Sequence, residues 1–127
     1  MAADCIPLYE PGDRITCTPT AAVQGKRFVA ISGNQQADGT FSVAPPTAAG
    51  RVLGVAAWDA AVGSKVTVIK GAGYILPVVV AAAGLAAGTE VQVDATGAVI
   101  ARAAGVPVGY LMTAGGAVGT DALVCLY

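Results

Sequence analysis

The sequence predicts an all-β fold: a small β-barrel or β-tulip-like domain built from Gly-turn hairpins, preceded by an extended N-terminal arm. Two observations carry this expectation. One turn-and-strand phrase recurs four times, at Ala22 to Ile31, Ala61 to Ile69, Ala86 to Val93 and Ala117 to Cys125. In addition, Gly or Pro interrupts almost every window long enough for an amphipathic helix.

Each phrase runs from a small apolar lead-in through a glycine (Gly25, Gly63, Gly88, Gly119) and one or two polar residues into an alternating strand. Glycine accepts the positive φ of a tight turn, and a period of two then sends alternate side chains to the core. Val66 with Val68, and Val91 with Val93, are therefore expected to share a buried face. The glycines fall at irregular intervals, which argues against a solenoid of fixed period and for a closed or sandwich-like sheet. Two phrases extend backwards into a longer match, Leu53-Gly54-Val55-Ala56-Ala57-Trp58-Asp59 and Val108-Gly109-Tyr110-Leu111-Met112-Thr113-Ala114. Each of these reads as strand, turn and second strand, the paired hairpin from which small barrels are made.

The remaining segments follow from local chemistry. Residues 1–13 are expected to form the arm and residues 14–127 a single β domain, within the usual size of one folding unit. Ser32 to Gly50, rich in Gly, Asn and Pro, reads as a polar loop with one brief strand around Phe41 to Val43. Val78 to Ala87 is expected to make a short helical turn. With 55% hydrophobic residues drawn largely from Ala and Val, and only 6% aromatic, the core is expected to consist of small, closely packed side chains.

Composition also limits function. Only 12% of residues are charged and the mean hydropathy is +0.68, yet the most apolar run, Ile75 to Ala87, is broken by Pro77 and Gly84 and is too short to cross a bilayer. The chain opens with Asp4, Glu10 and Asp13 and without an apolar leader, so synthesis in the cytoplasm and no membrane partner are expected. A net charge of −1 with scattered Lys and Arg argues against direct nucleic-acid binding. An apolar surface with little charge instead suits a protein that works in an assembly.

Chemistry is expected to be absent. The chain has no His, so neither a nucleophile-base triad nor a His-containing zinc site can be built, and Cys5, Cys17 and Cys125 read as reduced thiols. Gly25-Lys26-Arg27 and Gly63-Ser64-Lys65 both fail the phosphate-loop pattern. Most carboxylates fall in turns, among them Glu10, Asp13, Asp38, Glu90 and Asp121. No catalytic residue, cofactor or metal is expected, and the chain reads as a non-enzyme.

Contact residues are sought instead. The segment Ile6 to Ile15 mixes bulky apolar and charged groups between Pro7 and Pro11, which favour an extended backbone able to add to a neighbour's sheet; an ordinary first strand is the alternative. Trp58, the lone Trp, is either an interface anchor or a cap on one end of the core. Ile6, Leu8, Tyr9, Glu10, Arg14 and Trp58 are the candidate contacts.

Taken together, Leu8-Tyr9-Glu10-Pro11-Gly12-Asp13-Arg14-Ile15-Thr16-Cys17-Thr18, the phrase at Gly25, the core from Gly54 to Val68 and the closing Gly119-Thr120-Asp121-Ala122-Leu123-Val124 resemble the capsid cement or head-decoration proteins of tailed phages, a family sometimes mislabelled as phage recombinases. The resemblance spans nearly the whole chain. It implies a barrel-like structural virion protein on the outer surface of an icosahedral capsid, commonly a homotrimer, that stabilises the shell by bridging major capsid protein subunits. The competing expectation is a virion or cell-surface module that recognises glycan or host protein through Asn34, Gln35 and Gln36.

Overall fold

A computed structural model describes residues 14–127. These residues form ten strands and no helix: β1 Arg14–Pro19, β2 Phe28–Ile31, β3 Phe41–Ala44, β4 Gly54–Ala56, β5 Val66–Ile69, β6 Ile75–Val79, β7 Glu90–Val93, β8 Val99–Ala101, β9 Gly109–Leu111 and β10 Asp121–Leu126. The expected all-β barrel class is what the chain adopts. The N-terminal arm lies outside the described residues.

The first five strands close into a barrel in the order β1-β3-β2-β4-β5, with β1 antiparallel to β5 and parallel to β3. The last five form a sheet in the order β6-β10-β9-β7-β8. Read from its other end, that sheet repeats the connectivity of the barrel, with β6 in the place of β1. An isolated parallel bridge, Val80 to Val99, stands where Pro19 pairs with Val43 in the barrel. The chain is thus two copies of one five-stranded unit in tandem, the first fully closed and the second almost so.

Register and close contacts confirm the repeat. A Cβ on Gly54 would come within 2.4 Å of Ile69 O and 2.9 Å of a Val68 methyl; on Gly109 it would come within 2.4 Å of Cys125 O and 2.8 Å of a Val124 methyl. Both glycines exist because the partner strand crosses there. They are the glycines of the two extended phrases, and each pairs its strand with the next as an antiparallel hairpin.

The alternating positions pack as expected. Val66, Val68, Val91 and Val93 are all fully buried, and Val supplies most of the largest buried side chains. There are two cores: Ile15, Cys17, Val29, Val43, Ala56, Val66 and Val68 fill the barrel, while Val78, Val91, Val93, Val99, Leu111 and Val124 fill the second unit. Phe28 and Val55, from strands of the first unit, belong to this second core.

Two local expectations are corrected. Val78 to Ala87 makes no helical turn: Val78 and Val79 end β6, where they pair with Ala122 and Asp121. A run of small apolar residues has no strong local preference, and pairing with β10 decides it. The other correction concerns the first turn phrase. Gly63, Gly88 and Gly119 have φ of 83°, 85° and 89°, but in the first phrase the left-handed residue is Lys26, at 61°. Lys26 N donates to Ala56 O as Gly88 N donates to Leu111 O, so Lys26 holds the glycine position. Gly25 answers a different need, because a Cβ there would meet Trp58 Cα at 3.0 Å. The brief strand in the Ser32 to Gly50 loop is present as β3.

Candidate binding surface

The strands leave polar chemistry at the margins. Thr18, Asp38, Thr40 and Lys65 form one cluster: Lys65 Nζ lies 2.8 Å from Asp38 Oδ2 and donates to Thr18 Oγ1 at 2.9 Å, and Thr40 Oγ1 donates to Asp38 Oδ1 at 2.7 Å. The Lys65 ammonium, aided by Thr40, holds the Asp38 carboxyl well below the usual carboxylate range. The cluster ties the 34–40 loop to β1 and to Lys65, the residue before β5.

The second polar group is Glu90 with Tyr127 and Arg102. Tyr127 Oη donates to Glu90 Oε2 at 2.6 Å and Arg102 Nη1 to Glu90 Oε1 at 3.1 Å. The Tyr127 hydroxyl, then Arg102, lowers the Glu90 pKa, and Glu90 raises that of Tyr127. Among the described residues no three His, Cys, Asp or Glu side chains gather in a way that could hold a metal ion. No helix among them is long and apolar enough to cross a membrane.

What the surface does present is apolar. Val62 and Val118 occupy the same tip of the two repeated hairpins, before Gly63 and Gly119, and each is 64% exposed. Trp58 is 51% exposed, and its Nε1 donates across the first hairpin to Lys65 O at 3.4 Å. It is not among the buried residues of either core.

Arg14 starts β1 and lines a groove between the two units with Val55, Ile69, Leu76 and Pro77. Ile6, Leu8, Tyr9 and Glu10 lie outside the described residues. Arg14 and Trp58 therefore sit at different places, the groove and the first hairpin. The loop of Asn34, Gln35 and Gln36 spends its polar atoms on itself: Gln35 Nε2 donates to Gly39 O at 2.8 Å, Gln36 Nε2 to Ser42 Oγ at 2.6 Å, and Ser42 Oγ to Asn34 O at 2.7 Å.

Sequence reasoning overlooked a further group. Ile31 and Ile75, at strand positions that alternation assigns no special role, are 54% and 48% exposed. Exposed β-branched residues at strand ends carry no local signature. Only the pattern of packing between the two units shows which strand ends remain open.

A closed barrel followed by a second five-stranded sheet, with cores that interlock and apolar side chains at the exposed edges, is the architecture that the described residues define. Comparison with known proteins gives this architecture a family. The model of the phage cement protein family matches residues 9–126, and the chain belongs to that family of phage structural proteins, which is not an enzyme class. No curated protein matches the sequence. Among solved structures the chain is similar to the head fiber gp8.5 N base of bacteriophage phi29, with 16% sequence identity over 91% of this chain and 93% of that one and a TM-score of 0.72. At that identity the likeness is one of fold.

Proposed function

We propose that this protein decorates the outside of an icosahedral phage capsid, as a homotrimer made in the host cytoplasm, and stabilises the shell by bridging major capsid protein subunits. The observation that carries this reading is the cement-family match over residues 9–126 of a chain whose described surface offers apolar contacts and no reactive cluster. A ligand that binds only the assembled lattice lowers the free energy of that lattice by mass action. Many copies on one shell add their contacts through avidity, so each contact can be modest.

The contacts assigned to the capsid are the arm, with Ile6, Leu8, Tyr9 and Glu10, together with Arg14 at its root and Trp58 on the first hairpin. A half-exposed Trp is the residue type most enriched in binding hot spots, and truncating such an anchor costs about 2 kcal/mol or more of binding. Arg14 lies where the arm enters the barrel, so an arm bound to a neighbour would leave from the groove between the units.

The test compares particles with and without this protein. Particles lacking it are expected to lose DNA or break at lower temperature than complete ones; equal melting and equal resistance to chelators would refute the cement reading. Deletion of Met1 to Pro11 is expected to abolish capsid occupancy while the β domain stays folded. Normal occupancy by the truncated chain would remove the arm from the mechanism, and glycan-array binding without capsid affinity would replace the reading altogether.

A further inference from the structure

The interface that joins the two units has an unused counterpart at each end of the molecule. On the donating side, the first unit presents an outward row on adjoining strands. Phe28 of β2 pairs with Val55 of β4, Val55 with Ile69 of β5, and Ile69 with Arg14 of β1. Phe28 and Val55 are buried in the core of the second unit. Val79 N donates to Lys26 O at 3.0 Å and Phe28 N to Gly97 O at 2.9 Å, so the Lys26–Phe28 backbone fills the seam that β6 and β8 leave open.

In the second unit the same register places Glu90, Tyr110, Cys125 and Ile75 in one row. Among the described residues no further unit covers this row. Ile75 is exposed, and so is Tyr127, whose ring centroid lies 6.1 Å from that of Tyr110.

The receiving side has a counterpart too. Phe28 shares the core of the second unit with Val93, Val108 and Leu126, against which Leu76 packs, and its backbone N donates to Gly97 O. By strand register the equivalent residues of the first unit are Ile15, Ile31, Leu53, Lys70 and Phe41. These five residues together line one hollow of about 220 Å³, and Ile31 is exposed there. Phe41 stands where the second unit has Gly97, so the two seats are not identical.

We propose that copies of this chain associate head to tail, the Ile75–Tyr110–Tyr127 face of one copy seated in the Ile15–Ile31–Phe41–Leu53 hollow of the next. The two surfaces continue an interface that the chain already makes within itself. Lys70, which has no ion-pair partner among the described residues, rims the receiving hollow. Such an interface is heterologous, since each copy contributes a different patch, and it builds a closed ring when the rotation between copies closes and a filament when it does not. This inference rests on the self-association part of the proposed function and gives it a surface.

The test is light-scattering mass of the full chain and of two variants at exposed positions, Ile31→Glu in the hollow and Ile75→Glu on the face, each checked for the wild-type near-UV circular dichroism. The wild type is expected to form a defined oligomer, and each variant alone to be monomeric, with association weakened at least tenfold. Mixed one to one at the highest wild-type concentration, the variants are expected to form a dimer and nothing larger, because each brings one intact surface. Variants that keep the wild-type mass would overturn the interface while leaving self-association standing. A mixture that stays monomeric would overturn the head-to-tail arrangement, and a monomeric wild type would overturn both the interface and self-association. Hydrogen exchange of the wild type needs no variant: amides near Ile31 and Tyr110 are expected to gain protection together as concentration rises, and protection at only one of the two would point to a symmetric contact and overturn the proposal.

Discussion

Phe28 and Glu90 occupy the same position in two copies of one fold and have opposite fates. Phe28 pairs with Val55 and is buried in the core of the other unit, whereas Glu90 pairs with Tyr110 and faces outward, bonded to Tyr127 and Arg102. One position has become the lock between the units, and its twin an outward face.

If Phe28 is the lock, its loss damages both units together. Phe28→Ala is expected to cost about 3–5 kcal/mol, the usual range for emptying a buried aromatic site. Denaturant unfolding followed by Trp58 fluorescence, which reports the first unit, and by exchange of the Val91 and Val93 amides, which reports the second, is expected to give one coincident transition in the wild type. Two separate midpoints would mean that the units unfold independently.

Gly97 and Gly63 offer a controlled comparison, because both have φ of 83°. A Cβ on Gly63 would meet nothing within 4 Å, whereas on Gly97 it would come within 2.3 Å of Phe28 O. Gly63→Ala is expected to cost about 1–2 kcal/mol from left-handed backbone strain alone. Gly97→Ala carries the same strain and must also push the units apart, so its cost is expected to exceed that of Gly63→Ala by about 1–3 kcal/mol, the scale of an overpacked site. Equal shifts in thermal midpoint would show that the seam yields freely.

Acid sensitivity follows from Asp38. Its carboxyl is held well below the usual carboxylate range by Lys65 and Thr40, so its contribution to stability is present above the ordinary Asp pKa of about 3.9 and is lost as pH falls towards the folded-state pKa. The wild-type melting temperature is expected to drop from about pH 4 downward. Asp38→Asn is expected to start lower at pH 7 and to show a shallower fall below pH 4, because the titrating group is gone. Parallel profiles for the two proteins would remove Asp38 from the acid response.

The two described thiols differ in reactivity. Cys17 is fully buried in the barrel, and burial pushes its pKa up to about 11, so thiolate is scarce at neutral pH and reagents are shut out. Alkylation of the native protein, read by peptide mass, is expected to leave Cys17 unmodified until unfolding, with Cys125, half-buried on the sheet, modified first. Prompt native labelling of Cys17 would mean that the barrel opens readily.

Much of the fold was legible because its signals are local. The turn glycines at Gly63, Gly88 and Gly119 and the alternating valines after them need only the chain within a few residues of themselves. Lys26 escaped this reading because a non-glycine residue holds the left-handed turn there. Val78 and Val79 escaped because their strand is made by β10, some forty residues on in the chain. Trp58 drew notice by its type and is exposed, whereas the exposure of Ile31 and Ile75 was illegible, because their residue type equally suits a core.

The sequence alone therefore determined most of the strands and turns and the small-residue core, since each depends on residue type and spacing over short distances. Only the tertiary structure decided that these strands make one unit twice, that Phe28 of the first copy completes the second, and that Ile31 and Ile75 are left outside. Those outcomes depend on which distant backbones meet, as Phe28 meets Gly97, and a contact of that kind is set by the packing of the whole chain.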